Sequence, residues 1–291
     1  MADAVPIPIQ PDSLWQRLLR TAFAPWLTHI SLLALLAIEL VLLIRLPFWA
    51  AIVPAVIAHH RVGIMLHEYM HGIPLRKYSN NLAIFSLVNG VLLTFGFMEV
   101  FRGNHLAHHR WLNTESDPGW HSPSPESPAG GGWLHRTFSG RHGLLMYFRN
   151  MATVFQRKHP YVRRPRILLE IGLSCAWTAI WIAAGESALI WKLAVLHVWV
   201  AHSAALRGAV EHTSPLGTDG FANEYRVKLP LFNMNRHIHH HIDPTCPWYR
   251  LSFCTGAPLS NVHYWTHWYH MFVKGDYAFM KPMARSRSEV R

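Results

Sequence analysis

The sequence predicts an all-α, polytopic membrane protein with four transmembrane helices in two hairpins and a cytoplasmic helical cap. The first observation is apolar content: of 291 residues, 51% are hydrophobic and 15% charged, and the apolar residues form long runs separated by polar segments. The second is charge: 27 Lys+Arg against 16 Asp+Glu give a formal net charge of +11, and nearly all the basic residues lie away from the ends where the hairpins turn. This composition excludes a disordered or polar linker protein.

The first hairpin is predicted from two apolar runs, residues 27–44 and 48–66, which flank a turn at Arg45, Leu46 and Pro47. Each run is long enough for a helix to cross a hydrocarbon core of about 30 Å. The residue after the second run, His67, therefore emerges on the side where the chain began. The first 25 residues lack a basic segment ahead of an apolar one, so we expect them to be retained rather than cleaved as a signal peptide.

The second hairpin is predicted from residues 167–184 and 189–206, with a turn at 185–187. Arg45 and Lys192 are the basic residues near the outer turns, whereas nearly all the others lie in the N-terminus, the central loop and the C-terminal region. By the positive-inside rule, these regions face the cytoplasm.

A fifth apolar stretch, residues 82–100, is ambiguous, because a full crossing there would put its flanking segments on opposite membrane faces. The polar and small residues Asn89, Gly90 and Gly96 favour a re-entrant or interfacial segment. Residues 133–159 mix aromatic, aliphatic and basic side chains, which is typical of interfacial amphipathic helices. We expect residues 1–291 to form a single domain whose cytoplasmic cap comprises 67–165 and 207–291.

Histidine is the most over-represented residue, with 22 copies. Three clusters lie at the inner ends of the predicted segments, and a lone His212 ends the last span. Residues three and four apart share one helix face, so each cluster can direct several imidazoles at one point, whereas His239 lies on the other face of its turn. The predicted metal ligands are His67, His71, His105, His108, His109, His212, His237, His240 and His241.

Nine imidazoles exceed the ligand number of one ion, so the pattern predicts two metal ions. Cys175, Cys246 and Cys254 contain no CxxC pair, which leaves imidazole as the ligand. Iron is the leading candidate if the chemistry is redox, although spacing alone does not exclude zinc. Four polar side chains are candidates to orient the imidazoles from behind, and no catalytic residue beyond the metal centre is predicted. These four are Glu68, Glu211, Asp243 and Asn235.

The remaining histidines are interpreted as non-ligands. Four of them, His121, His135, His142 and His159, are expected in solvated or interfacial positions. Three more, His263, His267 and His270, alternate with aromatic residues as in an interfacial helix. His59 and His60 are expected behind the ligands or near lipid headgroups, and His197 and His202 are expected as satisfied residues inside the last span.

Two other functions remain open from the residues alone. The segment His67-Glu68-x-x-His71 is also the signature of zinc proteases, in which the glutamate activates water. An intramembrane metalloprotease leaves most of the other histidines unexplained, however. A metal transporter is the second alternative, although transporters usually place their sites near the bilayer midplane rather than at one face.

The histidine boxes HxxxH, HxxHH and HxxHH are accompanied by the pairs Asn113-Thr114 and Asp117-Pro118 and by the segment from His240 to Leu251. Together these segments resemble the integral-membrane fatty acid desaturase and hydroxylase superfamily in its bacterial form. The resemblance covers residues 26 to 268. It implies a non-haem di-iron centre, held by the nine histidines, which uses O2 to attack an unactivated C–H bond of a lipid chain. It also implies a multi-pass protein of the bacterial inner membrane with its active site on the cytoplasmic face.

Within this superfamily the first expectation is a fatty acyl or lipid desaturase. The near alternatives are a lipid or carotenoid hydroxylase or ketolase and an alkene-forming decarboxylase. Some desaturases have an asparagine one turn before the lone histidine, where this chain has Gly208. An apolar tunnel for the substrate is expected, with Trp111, Phe232, Trp248 and Tyr249 as candidate lining residues.

The partners implied by the resemblance are a lipid substrate, O2 and the membrane, with no nucleic acid. The sequence has no cytochrome b5-like or rubredoxin-like segment, and its three cysteines cannot build an iron–sulfur site. Electrons are therefore expected from a separate ferredoxin-, rubredoxin- or cytochrome b5-like donor.

Overall fold

The computed structural model describes residues 24–112, 117–118, 133–138, 141–152, 159–214, 236–251, 263–275 and 281–282. Asn235 and Phe232 lie outside these residues, as do His121 and the Asn113-Thr114 pair. The helices are α1 (Ala24–Arg45), α2 (Phe48–Met70), α3 (Tyr78–Val91), α4 (Phe97–Trp111), α5 (Trp133–Phe138), α6 (Arg141–Ala152), α7 (Arg164–Ala183), α8 (Ala188–His212), α9 (His237–Ile242) and α10 (Tyr264–Trp268). A π-helix, Tyr269–Lys274, follows α10, and strands β1 (Thr213–Ser214) and β2 (Lys281–Pro282) pair antiparallel.

Four of these helices, α1, α2, α7 and α8, are long and apolar enough to cross a membrane. Their outward faces carry exposed apolar side chains such as Ile30, Leu33 and Trp49, which are 55, 65 and 85% exposed. Such surfaces are unfavourable in water and suit contact with lipid. The prediction of an all-α membrane protein with four spans is confirmed.

The two hairpins are joined at their outer ends. Pro47 starts α2 with φ −54°, a value that the proline ring favours, and Gly185 turns between α7 and α8 with φ +81°, a conformation that glycine adopts without steric cost. The ammonium group of Lys192 donates hydrogen bonds to the carbonyl oxygens of Leu43 and Leu46. The single basic residue of the second outer turn thus caps the end of the first hairpin.

The spanning helices continue past the predicted inner ends. Helix α2 runs to Met70 and α8 to His212, whereas the apolar runs end at 66 and 206. The extra turns carry histidines on a rigid backbone, which fixes their directions relative to the bundle.

The stretch 82–100, predicted as a re-entrant or interfacial segment, is divided between two helices. Helices α3 and α4 are separated by residues 92–96, where Leu93, Phe95 and Gly96 have positive φ of 57°, 49° and 86°. A Cβ on Gly96 would lie 2.8 Å from the Cγ2 of Ile167 on α7, so the break packs tightly against the second hairpin. The start of α3 and the end of α4 both lie near the end of α2, because Tyr78 Oη donates to the Met70 carbonyl oxygen and His105 contacts His67.

A buried ion pair holds α4 in place. Arg102, 3% exposed, donates to both carboxylate oxygens of Glu99 at 2.6 and 2.7 Å and to the Tyr161 carbonyl oxygen at 2.7 Å. It also donates to Tyr78 Oη, and Glu99 accepts from the backbone N–H of Arg163. These bonds fix α4 against the starts of α3 and α7, and so orient the face that carries its three histidines.

Candidate metal centre

Four helices bring the nine predicted ligands together. The end of α2 supplies His67 and His71, and the second half of α4 supplies His105, His108 and His109. The last residue of α8 is His212, and the short helix α9 supplies the remaining three, His237, His240 and His241. In α2, α4 and α9 the spacing of three or four residues places these side chains on one face.

Five imidazoles form the larger of two groups, with ligand atoms that all lie within 4.8 Å of one another: His67, His71, His105, His109 and His240. The Nε2 atom of His105 lies 2.8 Å from that of His67, 3.1 Å from that of His71 and 3.0 Å from that of His109. The Nε2 of His240 is 3.0 Å from that of His109. All five side chains point the same ring nitrogen at a common centre.

Hydrogen bonding alone does not account for this convergence. A ring nitrogen carries either one hydrogen or one in-plane lone pair, so the Nε2 of His105 cannot satisfy three other nitrogens at once. A cation at the centre can, because metal–nitrogen bonds of about 2.0–2.1 Å place adjacent ligands about 3 Å apart. The donor set therefore fits a metal ion.

The second group contains His108, His212 and His241, whose ligand atoms also lie within 4.8 Å of one another. His237 adjoins this group, since its Nε2 lies 2.9 Å from that of His212 and 3.0 Å from that of His241. The two groups are neighbours: the rings of His109 and His241 have centroids 4.3 Å apart. The arrangement could hold two ions side by side.

The protonation state of the imidazoles favours metal binding at this site. Burial, with a contribution from the neighbouring imidazoles, lowers the pKa well below the usual value of 6.5 for His105, His109, His237, His240 and His241. Burial also lowers the pKa of His71 to about 4. These imidazoles are therefore neutral near pH 7, the state in which a ring nitrogen can donate its lone pair to a metal.

Asp117 orients one of the predicted ligands and was not predicted to do so. The Nδ1 of His108 lies 2.9 Å from each carboxylate oxygen of Asp117, which is 5% exposed. An Nδ1–H donated to this carboxylate leaves the lone pair on Nε2, which faces the second group. The only signal in the sequence was an Asp-Pro pair nine residues after His108, and its spacing follows no helical rule.

The predicted orienting residues have other partners. Glu68 Oε1 accepts from the backbone N–H of Trp248 at 3.2 Å, so it fixes the segment after α9. Glu211 pairs with Arg207 at 3.1 Å and has an oxygen 3.7 Å from His237 Nε2. Asp243 is exposed and accepts from Thr245 within its own turn, which disagrees with a position behind an imidazole; Asn235 lies outside the described residues.

Most other histidines lie away from the two groups. His239 is buried but belongs to neither group. His159 accepts from the backbone N–H groups of Tyr161 and Val162. His202 contacts the Thr137 carbonyl oxygen at 2.7 Å, and His267 is fully buried in α10, not exposed at an interface. The side chains of His135 and His142 are not among those described.

A cavity of about 690 Å³ opens onto both groups. Its wall includes two members of the first group, His67 and His105, two of the second, His108 and His212, and the adjoining His237. The rest is largely apolar, with Leu92, Phe97, Phe101 and Tyr147 among the lining residues. The expected Trp111, Trp248 and Tyr249 are not part of this wall, because the cavity extends between α2, α4, α6 and α8 instead.

Comparison with known proteins identifies the family. The sequence model of the fatty acid desaturase family matches residues 43–270, a range that contains all nine histidines and most of the chain. No curated protein and no solved structure matches the chain significantly. The protein therefore belongs to the fatty acid desaturase family.

Proposed function

We propose that this protein is an O2-dependent membrane desaturase that introduces a double bond into a fatty acyl or lipid chain at a di-iron centre. The family indicates an oxidoreductase that acts on fatty acids, and the histidine groups fit a metal site. The observation that carries the proposal is the position of the two imidazole groups at the wall of one largely apolar cavity.

The proposed ligands divide between two ions. His67, His71, His105, His109 and His240 would hold the first, and His108, His212, His237 and His241 would hold the second. Iron supplies the redox chemistry needed to use O2 against a C–H bond, whereas zinc has no redox chemistry.

The reaction balances with a separate electron donor. Removal of two hydrogens from adjacent carbons gives two electrons and two protons, and the donor gives two more electrons. With two further protons, these reduce one O2 to two waters. We propose a ferredoxin-, rubredoxin- or cytochrome b5-like donor in the cytoplasm of a bacterial cell, since the basic residues favour a cytoplasmic site.

The residues of the cavity have three tasks. Apolar side chains such as Leu92 and Phe101 hold a methylene chain and exclude water, which protects a reactive oxidant from side reactions. Asp117 holds His108 in one tautomer and orientation. Glu211 forms an ion pair with Arg207, so the guanidinium group is not left unpaired next to the neutral imidazoles.

Hydroxylation of a lipid or carotenoid, ketolation and alkene-forming decarboxylation need the same metal centre. Gly208, which lines the cavity, offers no side chain to hold a water molecule. The protease alternative has less support, because Glu68 bonds to the Trp248 backbone and the second histidine group would have no role.

Product analysis tests the proposal. The purified, iron-loaded protein is supplied with a reductant, a donor protein and acyl lipids, and fatty acid methyl esters are separated by gas chromatography. New double bonds, absent without O2, are expected. An unchanged acyl profile with a new oxygenated lipid would instead establish hydroxylation or ketolation, and one zinc per chain with a fully active His237→Ala variant would favour the protease.

A further inference from the structure

A separate cluster of ionisable side chains lies within the spanning helices, away from the nine predicted ligands. Glu39 on α1 is fully buried, and its Oε1 lies 2.7 Å from the Nδ1 of His59 on α2. The ring of His197 on α8 lies beside that of His59, with centroids 5.1 Å apart. Polar groups inside a membrane are costly, and they commonly mark a binding site or pathway.

These side chains lie far from the metal centre. His59 lies eight positions before His67, which is about 12 Å along α2, and His197 lies fifteen positions before His212, which is about 22 Å along α8. The Glu39–His59–His197 group, named here the interior triad, is therefore too distant to orient the proposed metal ligands.

The interior triad nevertheless reaches the substrate cavity. His59 and His197 both line the cavity that opens onto the metal centre, as do Ile190 and Ala194 farther out on α8. From Ile190 to His212 the cavity wall follows α8 for about 33 Å. A lipid chain bound along this wall, with its reacting carbons at the metal centre, would place part of its hydrocarbon body beside His59 and His197.

A role in helix packing explains only part of the arrangement. The bond between Glu39 and His59 does join α1 to α2. However, His59 is bonded to the protein through Nδ1, which leaves its second ring nitrogen for a group in the cavity. The Nε2 of His197 is buried without a hydrogen-bond partner, a cost that packing alone does not offset.

Resting on the proposed function, we propose that the interior triad binds a hydroxyl group on the apolar body of the substrate, so that the enzyme takes a hydroxylated lipid. With Glu39 accepting the Nδ1–H of His59, the Nε2 of His59 carries a lone pair and accepts a hydrogen bond. A hydroxyl can donate to this nitrogen and accept from a ring N–H of His197. An unsubstituted chain would leave both rings unsatisfied.

A binding assay tests the proposal without turnover. Iron-loaded protein in phosphatidylcholine nanodiscs binds a pyrene-labelled acyl ester, and displacement is followed by energy transfer from tryptophan. The competitors are octadecanoyl esters with one hydroxyl group at successive positions, their methyl ethers and the unsubstituted ester. At the best position we expect the hydroxylated ester to compete about tenfold better than the other two, because a methyl ether cannot donate.

Variants assign the effect to the triad. The double variant Glu39→Leu/His59→Phe leaves no unpaired buried carboxylate, and His197→Phe leaves the Glu39–His59 bond intact. Both should lose the preference for the hydroxyl group and keep their iron. The matched control is His29→Phe, which removes another bond between α1 and α2, that of His29 to Tyr69 Oη, outside the cavity wall; it should keep the preference.

Equal competition by all three esters with the unaltered protein would overturn the proposal. So would a preference that survives in His197→Phe and in the double variant, or one that is lost equally in His29→Phe. Failure of the proposed function is distinguishable, because it appears as absent double bonds in the product assay, whatever the binding preference.

Discussion

At the scale of single residues, the direction of each imidazole decides its role. His239 and His240 are adjacent and both buried, with 5% and 1% exposure. Yet the Nε2 of His240 lies 3.0 Å from that of His109, while His239 belongs to neither histidine group. Successive side chains of a helix differ in direction by about 100°, so His237, His240 and His241 share one face of α9 while His239 points away from it.

We therefore expect His240→Ala to lose most of the bound iron. His239→Ala should keep about two irons per chain, the number expected when nine imidazoles are divided between two ions. Metal analysis of the purified variants measures this. Equal losses in the two variants would mean that the wrong face of α9 was assigned to the metal.

Asp117 should affect iron binding through its contact with His108. Asp117→Ala is expected to weaken iron binding about 10- to 100-fold, the usual effect of removing a carboxylate that orients a ligating histidine. Chelator competition measures the affinity. Asp243→Ala is the matched control, because this exposed carboxylate bonds within its own turn; iron binding that falls equally in both variants would contradict the assignment.

At the scale of elements, α4 carries three of the predicted ligands and depends on a buried ion pair. Arg102 bonds Glu99, Tyr78 and Tyr161, so it ties α4 to two other segments. Gly103, next to it, allows close contact, since a Cβ there would lie 2.3 Å from Val162 Cγ2. The position of α4 is thus set by contacts behind the histidine face.

Arg102→Leu should destabilise the protein by about 3–5 kcal/mol, because it leaves the Glu99 carboxylate buried without its partner. Thermal unfolding in detergent, followed by circular dichroism, measures the loss. Arg110→Leu changes an exposed arginine on the same helix and should cost less than about 1 kcal/mol; equal losses would show that the ion pair does not hold α4.

At the scale of the whole molecule, the histidine centre joins both hairpins to α4 and α9. Its side chains come from α2, α4, α8 and α9, so bound ions would link segments that are distant in sequence. A ligand that binds only the folded state stabilises it by mass action.

Removal of iron by a chelator should therefore lower the melting temperature, and readdition of ferrous iron should restore it. Differential scanning fluorimetry in detergent measures both steps. The variant His240→Ala serves as the control, since its melting temperature should respond much less; an unchanged melting temperature in the unaltered protein would contradict a structural linkage through the ions.

The iron-free protein should also lose stability as the pH falls from about 6.5 towards 4. Burial lowers the pKa of His71 to about 4, so the unfolded chain binds a proton in this window that the folded chain does not, and stability rises with pH. Chemical unfolding at several pH values measures the slope. His71→Phe should show a smaller slope; an identical slope would assign the effect to other groups.

Local spacing is sufficient to predict much of this site. The intervals of three and four residues in the histidine boxes put their members on common faces, and the apolar runs define four spans. Asp117 was missed because its contact with His108 spans nine residues, an interval that follows no helical or strand periodicity. The sequence predicted a re-entrant or interfacial segment at residues 82–100 but not the position of its break, where Leu93 and Phe95 have positive φ and the backbone N–H of Phe95 donates to Ser174 Oγ on α7.

Hydropathy and helical periodicity are properties of short segments, so they were sufficient to predict the fold class, the four spans, the family resemblance and the set of nine histidines. Packing between helices divides those histidines into two groups, places Asp117 against His108, and connects the metal centre to His59 and His197 through one cavity. These features depend on contacts between residues far apart in the chain, whose geometry is fixed only when the helices pack.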